Sequence, residues 1–260
     1  MIPSEKSISS SEQKLSSTPK RLMRGVDTVL MYPIKHIKVE YGSGADKIDP
    51  SKQYILAVSH TTDLDVPIVV KALGDKLDLA ITDQSTHHLP DREISMFYGL
   101  KASGSDNFIP ISYKWDENSK KPLFNPSDVN PMIGAMKQGK SIVVAAHNPL
   151  DDGPKDKSEI NPGYGAALLG LLSGAQIIPI SVDIDKPDLL RRSNAHVTVG
   201  EPFYLDSEQD MSNIQTIMEK RKHGERLDPD EQHEFHRLAQ VLRKSGRIVL
   251  DNVSRLTYDK

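Results

Sequence analysis

Gln53-Tyr-Ile-Leu-Ala-Val-Ser-His-Thr-Thr-Asp-Leu-Asp-Val-Pro67 begins as a nearly unbroken apolar run and ends in polar residues and a proline. A short apolar run without alternation is how a strand buried on both faces reads, and such strands belong to parallel sheets covered by helices. Apolar residues at helical spacing from about Leu64 to Leu73 predict a helix immediately afterwards. Pro67 fits the first turn of that helix, where a missing amide proton breaks no hydrogen bond.

Strand followed by helix recurs along the chain. Strands are predicted at Leu77–Thr82, Phe108–Tyr113, Ser141–Ala146, Gln176–Val182 and His196–Val199, and helices at Glu93–Tyr98, Pro131–Lys137 and Tyr164–Ser173, the last closed by Gly174. This alternation predicts an α/β fold with a mostly parallel central sheet flanked by helices. Ile160 to Val182 carries no charge and is long enough to cross a bilayer. Pro162, four glycines and Pro179 interrupt it, and its period changes near Gly174. A break of that kind would leave backbone groups unpaired in lipid, so helix then strand is the expected arrangement.

Around the α/β domain, placed at residues 51–206, lie three flanking segments. Residues 1–18 are serine-rich and polar, as in a disordered tail, and lack the basic cluster and apolar run of a secretory signal. Residues 19–50 hold an amphipathic lead helix and a connector: Thr18-Pro19 is a cap-and-proline start, and Leu22, Val26, Val29 and Leu30 form a stripe running to about Met31. Lys20, Arg21, Arg24, Lys35 and Lys38 against Asp27 give residues 20–38 a net charge of +4. That permits contact with an anionic membrane surface as well as ordinary docking on the core. Residues 207–260 form a C-terminal helical extension. Met211, Ile214, Ile217 and Met218 share one face there, Asp228-Pro-Asp-Glu231 is a capped helix start, and Phe235, Leu238, Val241 and Leu242 supply the buried stripe.

Composition narrows the chemistry. The 260 residues include no cysteine, which removes disulfides, thiolate metal sites, iron–sulfur clusters and a cysteine nucleophile. A formal charge of −3 argues against bulk nucleic-acid binding, so no nucleic-acid partner is expected. The mixed charges between Glu219 and Arg247 read as a solvated face.

His60 falls at the carboxyl end of the Gln53–Ser59 strand, the side of a parallel sheet on which ligands bind. Asp65, five residues later, can fold back onto one imidazole nitrogen, fixing the tautomer and leaving the other nitrogen as a base. The absence of cysteine and of a Gly-x-Ser-x-Gly elbow favours a substrate hydroxyl over an enzyme side chain as the source of the proton. A purely structural reading stands beside this one: Asp63 or Asp65 caps the helix, and His60 is satisfied by backbone. His147 and Asn148 follow another buried strand and should reach the same sheet edge, which makes them acceptor-site candidates. A metal-dependent hydrolase would draw ligands from His60, Asp63, Asp65, His147, Asp151 and one of His87 or His88, a nitrogen and oxygen set suited to zinc or manganese. No His-x-His or His-Glu-x-x-His spacing supports it, and no metal is expected.

Taken in order, the polar blocks resemble the glycerolipid acyltransferases, the lysophosphatidate acyltransferase-like family. Val58-Ser-His-Thr-Thr-Asp-Leu-Asp65 resembles motif I, with His60 and Asp65 at the family's histidine and aspartate. Gly104-Ser-Asp-Asn-Phe-Ile-Pro-Ile111 is similar to motif II, and Met136–Val144 to the approach to motif III. Gly163-Tyr-Gly-Ala-Ala-Leu168 is similar to the helix after it, Ile177-Ile-Pro-Ile-Ser-Val182 to motif IV, and Val199-Gly-Glu-Pro-Phe203 to the closing turn. The resemblance covers about residues 50 to 205. It implies an acyl-CoA- or acyl-carrier-protein-dependent O-acyltransferase in which His60 deprotonates a lipid-like acceptor, such as a lysophospholipid, and Asp65 orients the ring. It further implies oxyanion donors among the amides of Thr62 to Leu64, no cofactor beyond the acyl co-substrate, and a cytoplasmic protein attached peripherally to membrane through residues 20–38.

Two blocks depart from the family. Where motif III reads Phe-Pro-Glu-Gly-Thr-Arg-Ser, this chain has Ala145-Ala-His-Asn-Pro-Leu-Asp-Asp-Gly153, and the motif II arginine is replaced by Ile111 or Ser112 with Lys114 the nearest cation. Lysine does not reproduce bidentate recognition of phosphate, so Ser112, Lys114, His147 and Asn148 mark an acceptor site different from the family's. The same departures motivate the alternative of a catalytically silent member that binds lipid or a partner protein.

Overall fold

A computed structural model describes residues 34–42, 44–59, 64–84, 108–111, 114–116, 121–123, 129–146, 162–185, 193–205, 212–223 and 225–258. Over these the order is β1 (Ile34–Tyr41), a 3-10 turn (Ala45–Lys47), β2 (Ile55–Val58), α1 (Asp65–Leu73), β3 (Leu79–Gln84), β4 (Phe108–Ile111), β5 (Lys114–Asp116) and β6 (Lys121–Leu123). There follow α2 (Val129–Lys137), β7 (Ser141–Ala145), α3 (Tyr164–Ser173), β8 (Ile177–Ile184), β9 (Ser193–Val199), α4 (Ser212–Lys222) and α5 (Pro229–Tyr258). The predicted tail, lead helix and Glu93–Tyr98 helix lie outside the described residues.

Seven strands make one sheet in the order β1-β9-β8-β2-β7-β3-β4. Every pairing in it is parallel except β8 with β9. The predicted mostly parallel α/β sheet is therefore present, with β2 and β7 at its middle. Both are buried along nearly their whole length, as their unalternating sequences require.

The two faces of β2 feed different cores. Ile55 and Ala57 join Ile142 and Val144 of β7 under α2, α3, α4 and α5. Tyr54, Leu56 and Val58 join Val143, Ile178 and Ile180 under α1, which contributes Ile68, Val69 and Leu73. Burying each such side chain contributes roughly 1.5–3 kcal/mol, so helices on both faces are needed to keep this sheet from water. Among the described residues no helix is long and apolar enough to cross a membrane. The uncharged stretch divides as predicted into α3, closed by Gly174 in the left-handed conformation at φ 66°, and the interior strand β8.

Residues 34–41, read above as connector, are instead the edge strand β1, paired in parallel with β9. Lys35 and Lys38 of the basic stretch are exposed on that strand, and Lys38 Nζ lies 2.6 Å from Glu40 Oε1. The extension also joins the body of the fold: Leu238, Leu242, Val249 and Val253 of α5 belong to the same core as Ile55 and Ile142.

The start of α5 is a reciprocal cap. The Glu231 amide donates to Asp228 Oδ1 at 2.8 Å, and the Asp228 amide donates to Glu231 Oε2 at 3.2 Å. Asp228→Ala should lower the unfolding free energy by about 1 kcal/mol, read from urea midpoints at unchanged slope. No loss would mean that α5 is held by packing alone.

Candidate active site

The carboxyl end of β2 is clamped on both sides. The Ser59 amide donates to the Ile180 carbonyl of β8 at 2.9 Å, and the Ala146 amide beyond β7 donates to the Val58 carbonyl at 2.8 Å. Register places Val58 beside Ala145 and Ile180. The two chains that leave this edge go opposite ways: the segment after β2 leads to α1 on one face, and the segment after β7 leads to α3 on the other. Neighbouring parallel strands whose following helices part to opposite faces open a crevice beyond their carboxyl ends, where α/β proteins bind ligands.

Two further details shape that edge. Gly163, in the cap position of α3, donates its amide to the Ala146 carbonyl at 2.9 Å. A Cβ on Gly163 would lie 2.9 Å from the Ala145 carbonyl oxygen, so only glycine lets α3 start this close to β7. On the other side, Asp65 is the first residue of α1 and is 0% exposed. Among the described residues Asp65 is the one buried carboxyl; the other buried polar groups are serine hydroxyls and the Tyr54 phenol.

A buried carboxyl costs several kcal/mol unless its charge is answered, and the amino end of a helix supplies part of that answer. Leu64 occupies the cap position without a side-chain cap bond, and the first turn closes through the Ile68 amide on the Leu64 carbonyl at 2.9 Å. Asp65 is thus one residue inside the helix, not its cap, which removes half of the structural alternative offered above. Pro67 sits in that first turn, as its missing donor demands.

The other predicted site residues fall differently. His60, Ser112, His147 and Asn148 lie outside the described residues, as do Asp63, His87, His88 and Asp151. Lys114 is in β5, paired with Leu123 of β6 in a separate two-stranded sheet, and its side chain lies outside the description. What the structure brings together is the set of strand and helix ends that carry these positions, Ser59, Ala146 and Gly163, with the buried Asp65 at the head of the helix that follows β2. Among the described residues no group of three or more histidine or acidic side chains could hold a metal ion, and of the ligands named for the hydrolase alternative only Asp65 is described. Sequence reading quoted Ser59 and Gly163 within their blocks but gave them no role of their own, although a polar residue closing an apolar run and a glycine opening a helix were visible signals.

A second cleft, lined by Tyr41, Ala45, Ile48, Leu73, Lys76 and Leu77, lies at the opposite end of α1 from Asp65. There Lys76 Nζ donates to the Tyr41 hydroxyl at 2.6 Å and sits 4.3 Å from the centre of its ring. This contact fastens the end of α1 to β1 and takes no part in the crevice.

No protein-family model matches the chain, and no curated protein matches it in sequence. The chain is similar in structure to the crystal structure of the 1-acyl-sn-glycerophosphate (LPA) acyltransferase, PlsC, from Thermotoga maritima. The similarity covers 79% of this chain and 77% of that one at 14% identity, with a TM-score of 0.41.

Proposed function

We propose that this chain is an O-acyltransferase that moves a fatty acyl group from the thioester of acyl-CoA or an acyl carrier protein to a hydroxyl of a lipid-like acceptor. The observation that carries the reading is the fully buried Asp65 opening α1, the helix that follows β2 at the edge where β2 and β7 end side by side. A carboxyl kept out of water at a ligand-binding edge is suited to holding an imidazole, because burial strengthens the bond between them.

The blocks of the family resemblance add to this. Motif II runs into β4, the approach to motif III into β7, motif IV into β8, and the closing turn follows β9, all in one sheet. In the proposed step His60 takes the acceptor hydroxyl proton, the oxygen attacks the thioester carbonyl, the carbon–sulfur bond breaks, and the proton leaves on the thiol. Oxyanion donors would be the amides of Thr62 to Leu64. Ser112, Lys114, His147 and Asn148 would form the acceptor side. Lacking the family's arginines, that side suits a hydroxyl without a phosphate monoester better than lysophosphatidate. A place at the cytoplasmic membrane surface, with residues 20–38 against anionic lipid, belongs to the same proposal.

Thiol release from acyl-CoA and from acyl carrier protein, measured over a panel of lysolipid, polyol and amino-lipid acceptors, tests it. Acceptor-dependent release is the expected result. Tight binding of the panel without release would support the silent, lipid-binding alternative instead.

A further inference from the structure

We infer that Ser59 is a positioning residue: its hydroxyl, standing in for its own carbonyl on the Val182 amide, fixes the end of the β2 ladder one residue before the proposed base. This inference rests on the acyltransferase reading for its catalytic consequence but not for its geometry. In a parallel pair, an amide of one residue donates to the neighbouring strand, and the amide two residues further along that neighbour donates back to the same residue's carbonyl. The Ser59 amide donates to the Ile180 carbonyl at 2.9 Å. A continuing ladder would therefore send the Val182 amide to the Ser59 carbonyl.

It goes to the Ser59 hydroxyl instead, at 2.9 Å. The side-chain oxygen stands where a backbone carbonyl would stand, so the amide of β8 is satisfied while the main chain of β2 is released from the sheet. Ser59 is buried, 7% exposed, and so is Val182, at 4%. Water is a poor substitute at such a site, and an amide left without its acceptor there is costly. With alanine at 59 the acceptor best placed for Val182 is the Ser59-position carbonyl itself. Taking up that bond would prolong the β2 ladder by one residue, up to the proposed base.

The test compares Ser59→Ala and Ser59→Thr in the full chain by three measurements: exchange of the Val182 amide, NMR titration of the His60 imidazole, and steady-state acyl transfer. Loss of the hydroxyl should move the His60 titration midpoint and lower kcat by roughly tenfold to a hundredfold, the scale of an ångström-level misplacement, with KM within about twofold. Threonine, which keeps the hydroxyl, should restore both. If the alanine variant exchanges Val182 faster yet leaves the His60 titration and kcat unchanged, Ser59 is only structural and the inference is overturned. Should alanine fail to fold, Ser59→Val against Ser59→Thr is the deciding pair, since they differ chiefly by the hydroxyl. If the native chain transfers no acyl group, the functional reading fails, while the titration and exchange still decide the role of Ser59.

Discussion

His60→Ala should lower acyl transfer by roughly 10²–10⁴-fold, the range a positioned general base contributes, with KM for the acyl donor nearly unchanged. The loss should lie almost entirely in kcat, because the imidazole acts on the proton that moves in the transition state and adds little to ground-state binding of the thioester. Far-UV circular dichroism and the urea midpoint should match those of the native chain. Full activity in a folded His60→Ala variant would remove the base and with it the proposed mechanism. A variant that loses activity and stability together would point to a packing role at the strand end.

Asp65→Asn is expected to have the next largest effect, about 10²-fold or more in kcat, although the substitution hardly changes volume. The amide can still occupy the buried place at the head of α1, but it neither stabilises an imidazolium nor enforces one tautomer. Loss of the helix-end charge alone should change stability by about 0.3–2 kcal/mol. Activity and stability therefore separate the two roles of this carboxyl. A helix-end acid without a catalytic partner would lose that stability and keep its rate, and a carboxyl that orients the base would lose rate far beyond it. Asp65→Ala is the harsher test, since it also leaves a cavity and whatever answered the carboxyl unpaired.

These two positions also show how much of the site was legible in the chain. The apolar run before His60 and the spacing to Asp65 were local features, so a strand, a turn and a helix could be placed with no knowledge of the rest. The same holds for α3 between Tyr164 and Gly174, and for the cap of α5 at Asp228 and Glu231, which match their predictions closely. β1 was missed for a physical reason. Ile34-Lys-His-Ile-Lys-Val-Glu-Tyr41 is an edge strand with much of its surface exposed, its charged residues interrupt the apolar alternation, and its one partner, β9, lies more than 150 residues away.

By itself the sequence determined the interior strands, the capped helix ends and which residue types stand at the strand ends, because periodicity, caps and glycine signals act over a few residues. It was silent on strand order. That β7 inserts between β2 and β3, that α1 and α3 cover opposite faces, and that the Ser59 hydroxyl meets the Val182 amide were decided only by the tertiary structure. Those outcomes depend on which apolar surfaces can be buried together and which buried amides then find acceptors, and both conditions are met only between segments far apart in the chain.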